Sequence, residues 1–478
     1  MLFTSLHFLF FLPIVFFLYW FITNKNLRHQ NILLLIASYF FYACWDYRFL
    51  FLLMFSTGLD YYTGLKMGMA TNKKRKKFWL LLSVIINLGF LGVFKYYDFF
   101  VVSFSEALFH FGLSVHPTTL NIILPVGISF YTFHGLSYVI DIYKGRIKAE
   151  KSFIDYSVFV SFFPLLIAGP IERATHLLPQ IKQVRVFKYS DAINGLKQII
   201  WGLFKKLVIA DNCANFANDI FNNYTHASGS TLLFGAILFS IQIYGDFSGY
   251  SDIALGSARL FGIELLRNFA FPYFSRDIAE FWRRWHISLS SWFRDYLYIP
   301  LGGSQGGTWM KIRNTFIIFL VSGFWHGANW TFIIWGLINA VYFIPLLLSG
   351  KNRINLHIVA EGRLFPSIKE FLQILLTFLM TVLAWIFFRS ETVTQSVYII
   401  RKIFSKSLIN IPTLIPTYLF VLILLFMVIE WLGRSHKYAI EYAHPKFPRY
   451  LKWIFYYSLI MLIFLFGGEH QKFIYFQF

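Results

Sequence analysis

The stretch Val321-Ser-Gly-Phe-Trp-His-Gly-Ala-Asn-Trp330 places a single histidine, His326, between two apolar runs of the chain. One run precedes it at residues 316–321, and the other continues over residues 332–348. An imidazole at membrane depth loses its hydration and finds no water to replace it. His326 is therefore a candidate functional residue, although a hydrogen-bonded core histidine is the alternative for a residue taken alone.

The composition of the whole chain indicates a polytopic membrane protein. Of 478 residues, 57% are hydrophobic, 21% aromatic and only 14% charged. The formal net charge is +20, but Lys and Arg lie mostly in short loops between apolar runs, as the positive-inside rule predicts. We therefore expect no nucleic-acid binding. Cys44 and Cys213 form no metal or redox pattern, and we expect no metal site.

Apolar runs recur along the chain and predict membrane helices, since one crossing needs about 20 residues. The first run has no basic segment before it and no cleavage site after it, which favours a retained helix over a cleaved signal. Basic stretches at residues 25–29 and 73–77 predict cytoplasmic loops and an outer N-terminus. The runs lie near residues 6–23, 31–45, 47–65, 78–94, 192–222, 231–262, 328–348, 368–388, 413–432 and 450–467.

Prolines and glycines interrupt the apolar pattern over residues 121–170, which predicts broken helices around an interior cavity. His134 and the pair Glu172-Arg173 lie in or beside this region. For all three a structural role is favoured, because an acid and a base after Gly-Pro often cap a helix. Asp60 closes an earlier run with two tyrosines, where an interfacial aromatic belt is favoured.

Polar side chains are unusually dense in the run over residues 231–262. They form either a satisfied internal network or the lining of a polar path, and the sequence leaves both open. The set comprises Gln242, Tyr244, Asp246, Ser248, Tyr250, Ser251 and Asp252.

Charges alternate with tryptophans over residues 277–303, a pattern typical of helices that lie along or dip into the membrane interface. A surface anchor explains the tryptophans and arginines but not His286, which stands among serines. Residues 391–410 are amphipathic and predict another interfacial segment. No fixed repeat and no soluble domain is evident, so we expect one membrane domain over residues 1–478.

Four blocks, in order, resemble the membrane-bound O-acyltransferase (MBOAT) family, and more closely its bacterial branch that O-acetylates envelope polysaccharides. The resemblance covers nearly the whole chain. It implies an all-α polytopic fold of about 11 membrane helices in a ring around a tunnel, with re-entrant and interfacial helices. The blocks are Phe163-Pro-Leu-Leu-Ile-Ala-Gly-Pro-Ile-Glu-Arg173, Asp246-Phe-Ser-Gly-Tyr-Ser-Asp252, Phe281-Trp-Arg-Arg-Trp-His-Ile-Ser-Leu-Ser290 and Phe324-Trp-His-Gly-Ala-Asn-Trp330.

The resemblance also implies roles for two histidines. O-acyl transfer needs a base that takes the proton from a hydroxyl as it attacks a thioester carbonyl, and a neutral imidazole suits this task. His326 matches the family's histidine and is expected to be the general base. His286 is expected to be a positioning or second catalytic group, with a structural role left open.

The C-terminal aromatic motif, residues 472–478, reads Lys-Phe-Ile-Tyr-Phe-Gln-Phe. It resembles a terminal motif of envelope acyltransferases, which implies that Tyr475 accepts the acyl group and passes it on. Composition alone favours an aromatic anchor at the interface instead. In the branch that transfers D-alanine this motif usually lies on a separate small protein, so its presence in this chain favours acetyl transfer.

These observations predict an enzyme of the cell inner membrane, surrounded by lipid, that holds no bound cofactor. It would pass acetyl from acetyl-CoA toward an outer polysaccharide such as alginate, peptidoglycan or cellulose, with a periplasmic partner of the SGNH-hydrolase type. One alternative is D-alanyl transfer from a carrier protein toward teichoic acid. A transporter with His326 as a proton relay is another, and a scaffold without catalysis would leave His326 unexplained.

Overall fold

The computed structural model describes residues 1–412, 416–441, 448–467 and 471–474, and the described residues contain helices but no strands. The chain divides into two compact units by its internal packing. The first unit contains residues 1–192 and 257–266, and the second contains residues 193–256 and 267–478. That the whole chain acts as one membrane domain stays a prediction.

The first unit contains the N-terminal helices, which confirm the predicted apolar runs. Asn26, Asp46 and Asn72 cap the second, third and fourth helices, because each side chain accepts a backbone N–H of the first turn. The helices are α1 (Leu6–Phe17), α2 (Leu27–Ala43), α3 (Tyr47–Met69), α4 (Lys73–Leu91), α5 (Tyr97–His110), α6 (Ile128–Tyr143), α7 (Phe153–Ser161) and α8 (Ala174–Ile181). Short turns extend them at Leu18–Ile22, Gly92–Tyr96 and Phe163–Leu165.

The second unit contains most of the remaining helices. Two of them, α9 (Tyr189–Leu203) and α11 (Gly229–Leu260), also contribute their first or last turn to the first unit. The others are α10 (Asp211–Asn222), α12 (Ile278–Arg284), α13 (Ile287–Phe293), α14 (Gly307–His326), α15 (Trp330–Leu348), α16 (Ile368–Arg389), α17 (Val393–Ile403), α18 (Thr417–Leu432) and α19 (Arg449–Phe466). π-helical turns lie at Phe204–Ala210 and Arg294–Tyr298.

Five stretches of the described chain are long and apolar enough to cross a membrane. The region over residues 121–170 is broken as predicted, and α6 begins after Gly127, which has a left-handed backbone with φ of 75°. A Cβ there would lie 2.2 Å from the carbonyl oxygen of Leu166, so glycine is required on both counts. The expected number of about 11 crossings and their ring arrangement stay predictions. The five stretches are Lys73–His110, Gly229–Leu260, Trp330–Leu348, Ile368–Arg389 and Arg449–Phe466.

Helices α14 and α15 form a tightly packed hairpin in the second unit. A Cβ on Gly323 of α14 would lie 2.2 Å from the carbonyl oxygen of Phe332, and one on Gly336 of α15 would lie 2.3 Å from that of Phe319. Glycine at both positions therefore lets the two backbones touch, as small residues do between membrane helices. This contact fixes the C-terminal end of α14, where His326 lies.

Gly323→Ala should destabilise the protein by about 1–3 kcal/mol, because the new methyl group meets backbone atoms that cannot turn away. Gly58→Ala in α3 is the matched control, since a Cβ there meets nothing within 4 Å. We expect the thermal unfolding midpoint in detergent to fall for Gly323→Ala only. Equal midpoints for the two variants would show that the helices do not touch at Gly323.

Candidate active site

The motif around His326 ends one helix and starts the next. His326 is the last residue of α14, and Gly327 follows in an extended conformation. A Cβ on Gly327 would lie 2.1 Å from the ring of Phe332, so a side chain there would displace that ring. Asn329 then caps α15, and its amide donates to the carbonyl oxygen of Glu391 at 2.9 Å. The histidine therefore has a fixed place at the end of the hairpin.

Aromatic rings enclose the imidazole of His326, which is 3% exposed. The ring of Trp335 stands almost perpendicular to it at a centroid distance of 5.1 Å, and that of Phe388 lies at 5.3 Å. Trp325 adds a third ring at 4.9 Å. Such edge-to-face packing restricts rotation of the imidazole. A base held in this way keeps its orientation before a substrate arrives.

His286 has an unusual backbone conformation. It precedes α13 with φ of 42° and ψ of 55°, in the left-handed region. Among the described residues only Asn121, Phe271 and Ala360 are other non-glycine residues with positive φ. Such strain costs about 1–3 kcal/mol and persists only where the surrounding structure holds it in place.

Hydrogen bonds on both sides hold this turn. The N–H of Ala270 donates to the carbonyl oxygen of Arg284 at 2.9 Å, and that of Ile287 donates to the carbonyl oxygen of Asn268 at 2.8 Å. The hydroxyl of Ser288 donates to the side-chain oxygen of Asn268 at 2.6 Å. The segment before α12 therefore fixes the direction in which His286 leaves the backbone.

A buried carboxylate fastens the preceding helix, α12. The side chain of Glu280 is 1% exposed and lies 3.0 Å from the guanidinium of Arg276 and 2.8 Å from that of Arg284. Trp285 and Trp292 are also buried. The region over residues 277–303 therefore has a buried side, and a surface anchor does not describe its tryptophans.

The structure brings the two predicted histidines together. Their ring centroids are 6.4 Å apart, and both rings line one cavity of about 230 Å³. Exposed arginines, Arg294 and Arg353, line the same cavity. Its other lining residues are Trp282, Leu289, Ser290, Phe293, Tyr298, Ser304, Thr315, Ile318, Phe319, Ser322, Phe343, Leu347 and Asn352.

The polar groups of α11 form ion pairs and hydrogen bonds inside the second unit. Asp252 lies 2.5 Å from the ammonium of Lys205, and Asp246 lies 2.8 Å from that of Lys206. The amide of Gln198 donates to Asp252 at 2.7 Å. Of the two alternatives left open by the sequence, these contacts favour the internal network.

Sequence patterns did not mark three members of this network as functional or structural candidates. Lys205 and Lys206 lie in the turn between α9 and α10, and adjacent lysines in an apolar run are the signal that marks them. Glu430 of α18 is buried and accepts from the hydroxyl of Tyr244 at 2.5 Å and from the indole N–H of Trp201 at 3.2 Å. An isolated glutamate in an apolar helix was the signal there.

Tyr475 lies outside the described residues. The preceding tail segment, residues 471–474, is described, and its Phe473 and Ile474 are buried. The ring of Phe473 lies 4.4 Å from that of Tyr250 and 6.2 Å from that of Phe247. Phe247 in turn lies 4.7 Å from the ring of His286. One aromatic ring therefore separates the tail segment from this histidine.

Three polar residues that the sequence marked in the first unit, His134, Glu172 and Arg173, are buried. His134 is buried with its ring 5.9 Å from that of Phe159. Glu172 lies 2.8 Å from the Nδ1 atom of His176 and accepts from the N–H of Leu266 at 2.6 Å. These contacts agree with the structural role expected for Glu172.

Arg173 also has a short-range partner, because its guanidinium donates to the carbonyl oxygen of Ile171 at 3.1 Å.

Asp60 does not lie in the expected interfacial belt. It is buried and accepts from the hydroxyl of Ser83 at 2.6 Å and the amide of Asn87 at 2.8 Å. The burial of Asp60 arises from helix packing, which the adjacent tyrosines in the sequence do not reveal.

Comparisons with known proteins identify one family model and several similar chains. Residues 147–390, which include both histidines, match the model of the membrane-bound O-acyltransferase family. The chain is 39% identical to a probable alginate O-acetylase, AlgI, of Pseudomonas aeruginosa, over 92% of this chain and 82% of that protein. It is 38% identical to a peptidoglycan O-acetyltransferase of Helicobacter pylori, over 82% of this chain and 77% of that protein. A teichoic acid D-alanyltransferase of Bacillus subtilis is 31% identical over 47% of this chain and 60% of that protein.

Glu280→Ala should destabilise the protein by about 3–5 kcal/mol, because it leaves two partly buried arginines without their carboxylate. Glu361→Ala is the control, since Glu361 is exposed and lies 4.0 Å from an exposed histidine. Thermal unfolding in detergent measures both. A Glu280→Ala variant as stable as Glu361→Ala would contradict the assigned role of this ion pair.

The pair of His176 and Glu172 should make stability depend on pH. The hydrogen bond that the His176 imidazole donates to the Glu172 carboxylate raises the pKa of His176. The pair therefore contributes its full share of folding stability below the ordinary histidine pKa of about 6.5. This contribution is lost as the pH rises through the higher pKa that His176 has in the folded chain. The loss of unfolding midpoint in His176→Gln should be larger at about pH 5.5 than at about pH 9. The exposed His7→Gln is the control, and an equal loss at both pH values would refute the pairing.

Proposed function

The chain belongs to the membrane-bound O-acyltransferase family, and on that premise we propose that it passes an acetyl group across the membrane for O-acetylation of an extracytoplasmic polysaccharide. It is a multi-pass membrane acyltransferase. The observation that supports the proposal most is the single cavity lined by His326 and His286, whose rings are 6.4 Å apart. The inner membrane is its proposed location.

The donor we propose is acetyl-CoA, bound from the cytoplasm. Lys311 and Arg313 at the start of α14, with Lys351 after α15, make one end of the hairpin basic, and basic ends face the cytoplasm. The exposed Arg294 and Arg353 line the cavity and would attract the phosphates of coenzyme A. The thioester arm would then extend along the cavity toward His326.

The proposed reaction has two steps. In the first, a nitrogen of His326 takes the proton from the hydroxyl of Tyr475 while the hydroxyl oxygen attacks the thioester carbonyl carbon. The carbon–sulfur bond breaks, the leaving thiolate takes up the proton, and Tyr475 becomes an acetyl ester. His286 is proposed to position the reacting groups, since its held turn fixes the direction of its ring.

In the second step, a hydroxyl of an outer partner would attack the ester and restore Tyr475. We propose a periplasmic SGNH-type acyltransferase as this partner and an envelope polysaccharide as the final acceptor. Relatives are named for alginate O-acetylation and for peptidoglycan O-acetylation. Alginate, peptidoglycan and cellulose are the acceptor classes that we propose to test.

D-alanyl transfer is the second candidate, and it has weaker support. The D-alanyltransferase of Bacillus subtilis aligns with 47% of this chain, against 92% for the alginate O-acetylase of Pseudomonas aeruginosa. Family membership favours acyl transfer over the transporter alternative. A scaffold without catalysis does not account for two histidines on one cavity.

His326→Gln should lower the rate at which radiolabelled acetyl-CoA labels the purified chain by about 100-fold or more, which is the usual contribution of a general base. Tyr475→Phe should remove the label, because the accepting oxygen is gone. Two controls should label normally: His134→Gln, another buried histidine, and Tyr457→Phe, an exposed tyrosine of α19.

Normal labelling of His326→Gln would exclude it as the base, and normal labelling of Tyr475→Phe would exclude the relay. The same assay with a D-alanyl carrier protein as donor separates the two candidate functions. Acetyl transfer predicts label from acetyl-CoA alone, and label from the D-alanyl donor alone would establish the second candidate.

A further inference from the structure

The ammonium of Lys206 lies inside the second unit, where a charge needs partners for every donor. Its side chain is 2% exposed. It lies 2.6 Å from Asp211 and 2.8 Å from Asp246, and it donates to the carbonyl oxygen of Gln471 at 3.0 Å. Two carboxylates and one backbone carbonyl therefore surround the ammonium. The carbonyl belongs to the tail segment.

The tail segment also supplies a hydrogen-bond donor to the carboxylate of Asp246. One of its carboxylate oxygens faces Lys206, and the other accepts the backbone N–H of Ile474 at 2.7 Å. The side chain of Gln471 also donates to Asn215 at 2.8 Å. Without the tail segment, an ammonium donor and a carboxylate oxygen in the protein interior would lose these partners. A paired lysine and aspartate need no third chain segment beside them, so these contacts with residues 471 and 474 require an explanation.

We propose that Lys206 and Asp246 are positioning residues that clamp the tail segment beside Phe247, one aromatic ring from His286, and that acyl transfer depends on this clamp. The inference rests on the proposed function, in which Tyr475 accepts the acyl group. Neither charged residue touches the donor in this account. They act through the backbone of residues 471–474.

The direction of the chain supports this role. Helix α19 begins at the basic Arg449 and Lys452, so its start is expected on the cytoplasmic side and its end at Phe466 on the outer side. The tail segment therefore enters the second unit from the side opposite the basic end of the donor cavity.

The packing of Phe473 provides a second, independent hold. This side chain is fully buried, and its ring lies 4.4 Å from that of Tyr250. Phe247, which also contacts Phe473, lies 4.7 Å from the ring of His286. The clamp therefore holds the tail segment by its backbone and by one aromatic side chain, next to the candidate active site.

The chain contains a matched control for the clamp. Lys205 and Asp252 form another ion pair between the same two elements, at 2.5 Å, in which the lysine is buried and the aspartate is 14% exposed. Within the part of the chain that the structure describes, their hydrogen bonds go to Ser248 and Gln198 rather than to the tail segment. Asp252→Ala therefore removes the carboxylate partner of a buried lysine without removing a tail contact.

The first experiment measures how tightly the tail segment is held, independently of any acyl transfer. Purified full-length protein in detergent is transferred to deuterated buffer, and deuterium uptake by the backbone amides of residues 471–474 is followed over time by mass spectrometry. In the wild type and in Asp252→Ala, the N–H of Ile474, which donates to Asp246, should exchange slowly. In Asp246→Ala, where Lys206 still has Asp211, exchange over residues 471–474 should be much faster. Equal protection of Asp246→Ala and the wild type would overturn the clamp.

The second experiment tests positioning through the rate of labelling by acetyl-CoA. Asp246→Ala should lower the maximal labelling rate at least about tenfold, because small displacements of reacting groups are costly. The half-saturating donor concentration should not change, since the donor cavity does not contain Asp246. A general loss of folding in Asp246→Ala would instead change both quantities, and Asp252→Ala should leave both unchanged.

Backbone variants keep the test valid if Asp246→Ala does not fold. Ile474→Pro removes the N–H that Asp246 accepts and leaves the buried charges intact, whereas Ile474→Ala keeps that N–H. Only the proline variant should lose most of its maximal labelling rate. Wild-type labelling rates in Ile474→Pro, or in an Asp246→Ala variant with a released tail segment, would overturn the positioning role.

The proposed function can fail separately from the clamp. If the wild-type chain takes no acetyl label at all, the relay through Tyr475 is wrong. The hydrogen-exchange experiment then decides the clamp alone: protection lost in Asp246→Ala supports it, and protection kept overturns it.

Discussion

The contact between the backbones of α14 and α15 at Gly323 and Gly336 is the constraint on which the candidate active site depends. It fixes the end of α14, and the Gly327–Asn329 connection stops that helix at His326 and starts the next. Aromatic rings then surround the imidazole on several sides. A mobile histidine in lipid would be costly and imprecise, whereas this one is held by backbone geometry before any substrate binds.

Buried charges are the second theme of the structure, and each described one has identifiable partners. Glu280 fastens two arginines beside the strained turn of His286, so that a stable ion pair supports an unfavourable backbone conformation nearby. Lys206 and Asp246 are completed by the backbone of the tail segment. These ion pairs thus hold chain segments in place. The two histidines lie next to the segments that are held.

The sequence predicted the helices because their signals are local, and the resemblance carried by four motifs pointed to the two histidines. Apolar runs have the length of a crossing, and four motifs stand in a fixed order. It did not predict the partners of Lys206, because Asp246 and Gln471 are distant in the chain and no periodicity connects them. The left-handed backbone of His286 was also unpredictable, since hydrogen bonds to residues 268–270 impose it. Asp60 was misjudged because only packing reveals its burial.

The cavity that both histidines line includes two exposed arginines, and the tail segment lies one aromatic ring from His286. The central claim is that an acyl group passes through Tyr475. The most direct measurement is mass spectrometric mapping of the C-terminal peptide after wild-type protein has been incubated with acetyl-CoA. The account predicts an acetyl ester on Tyr475 that hydroxylamine removes. An acetyl group on any other residue, or an unmodified C-terminal peptide in protein that still transfers acetyl, would contradict it.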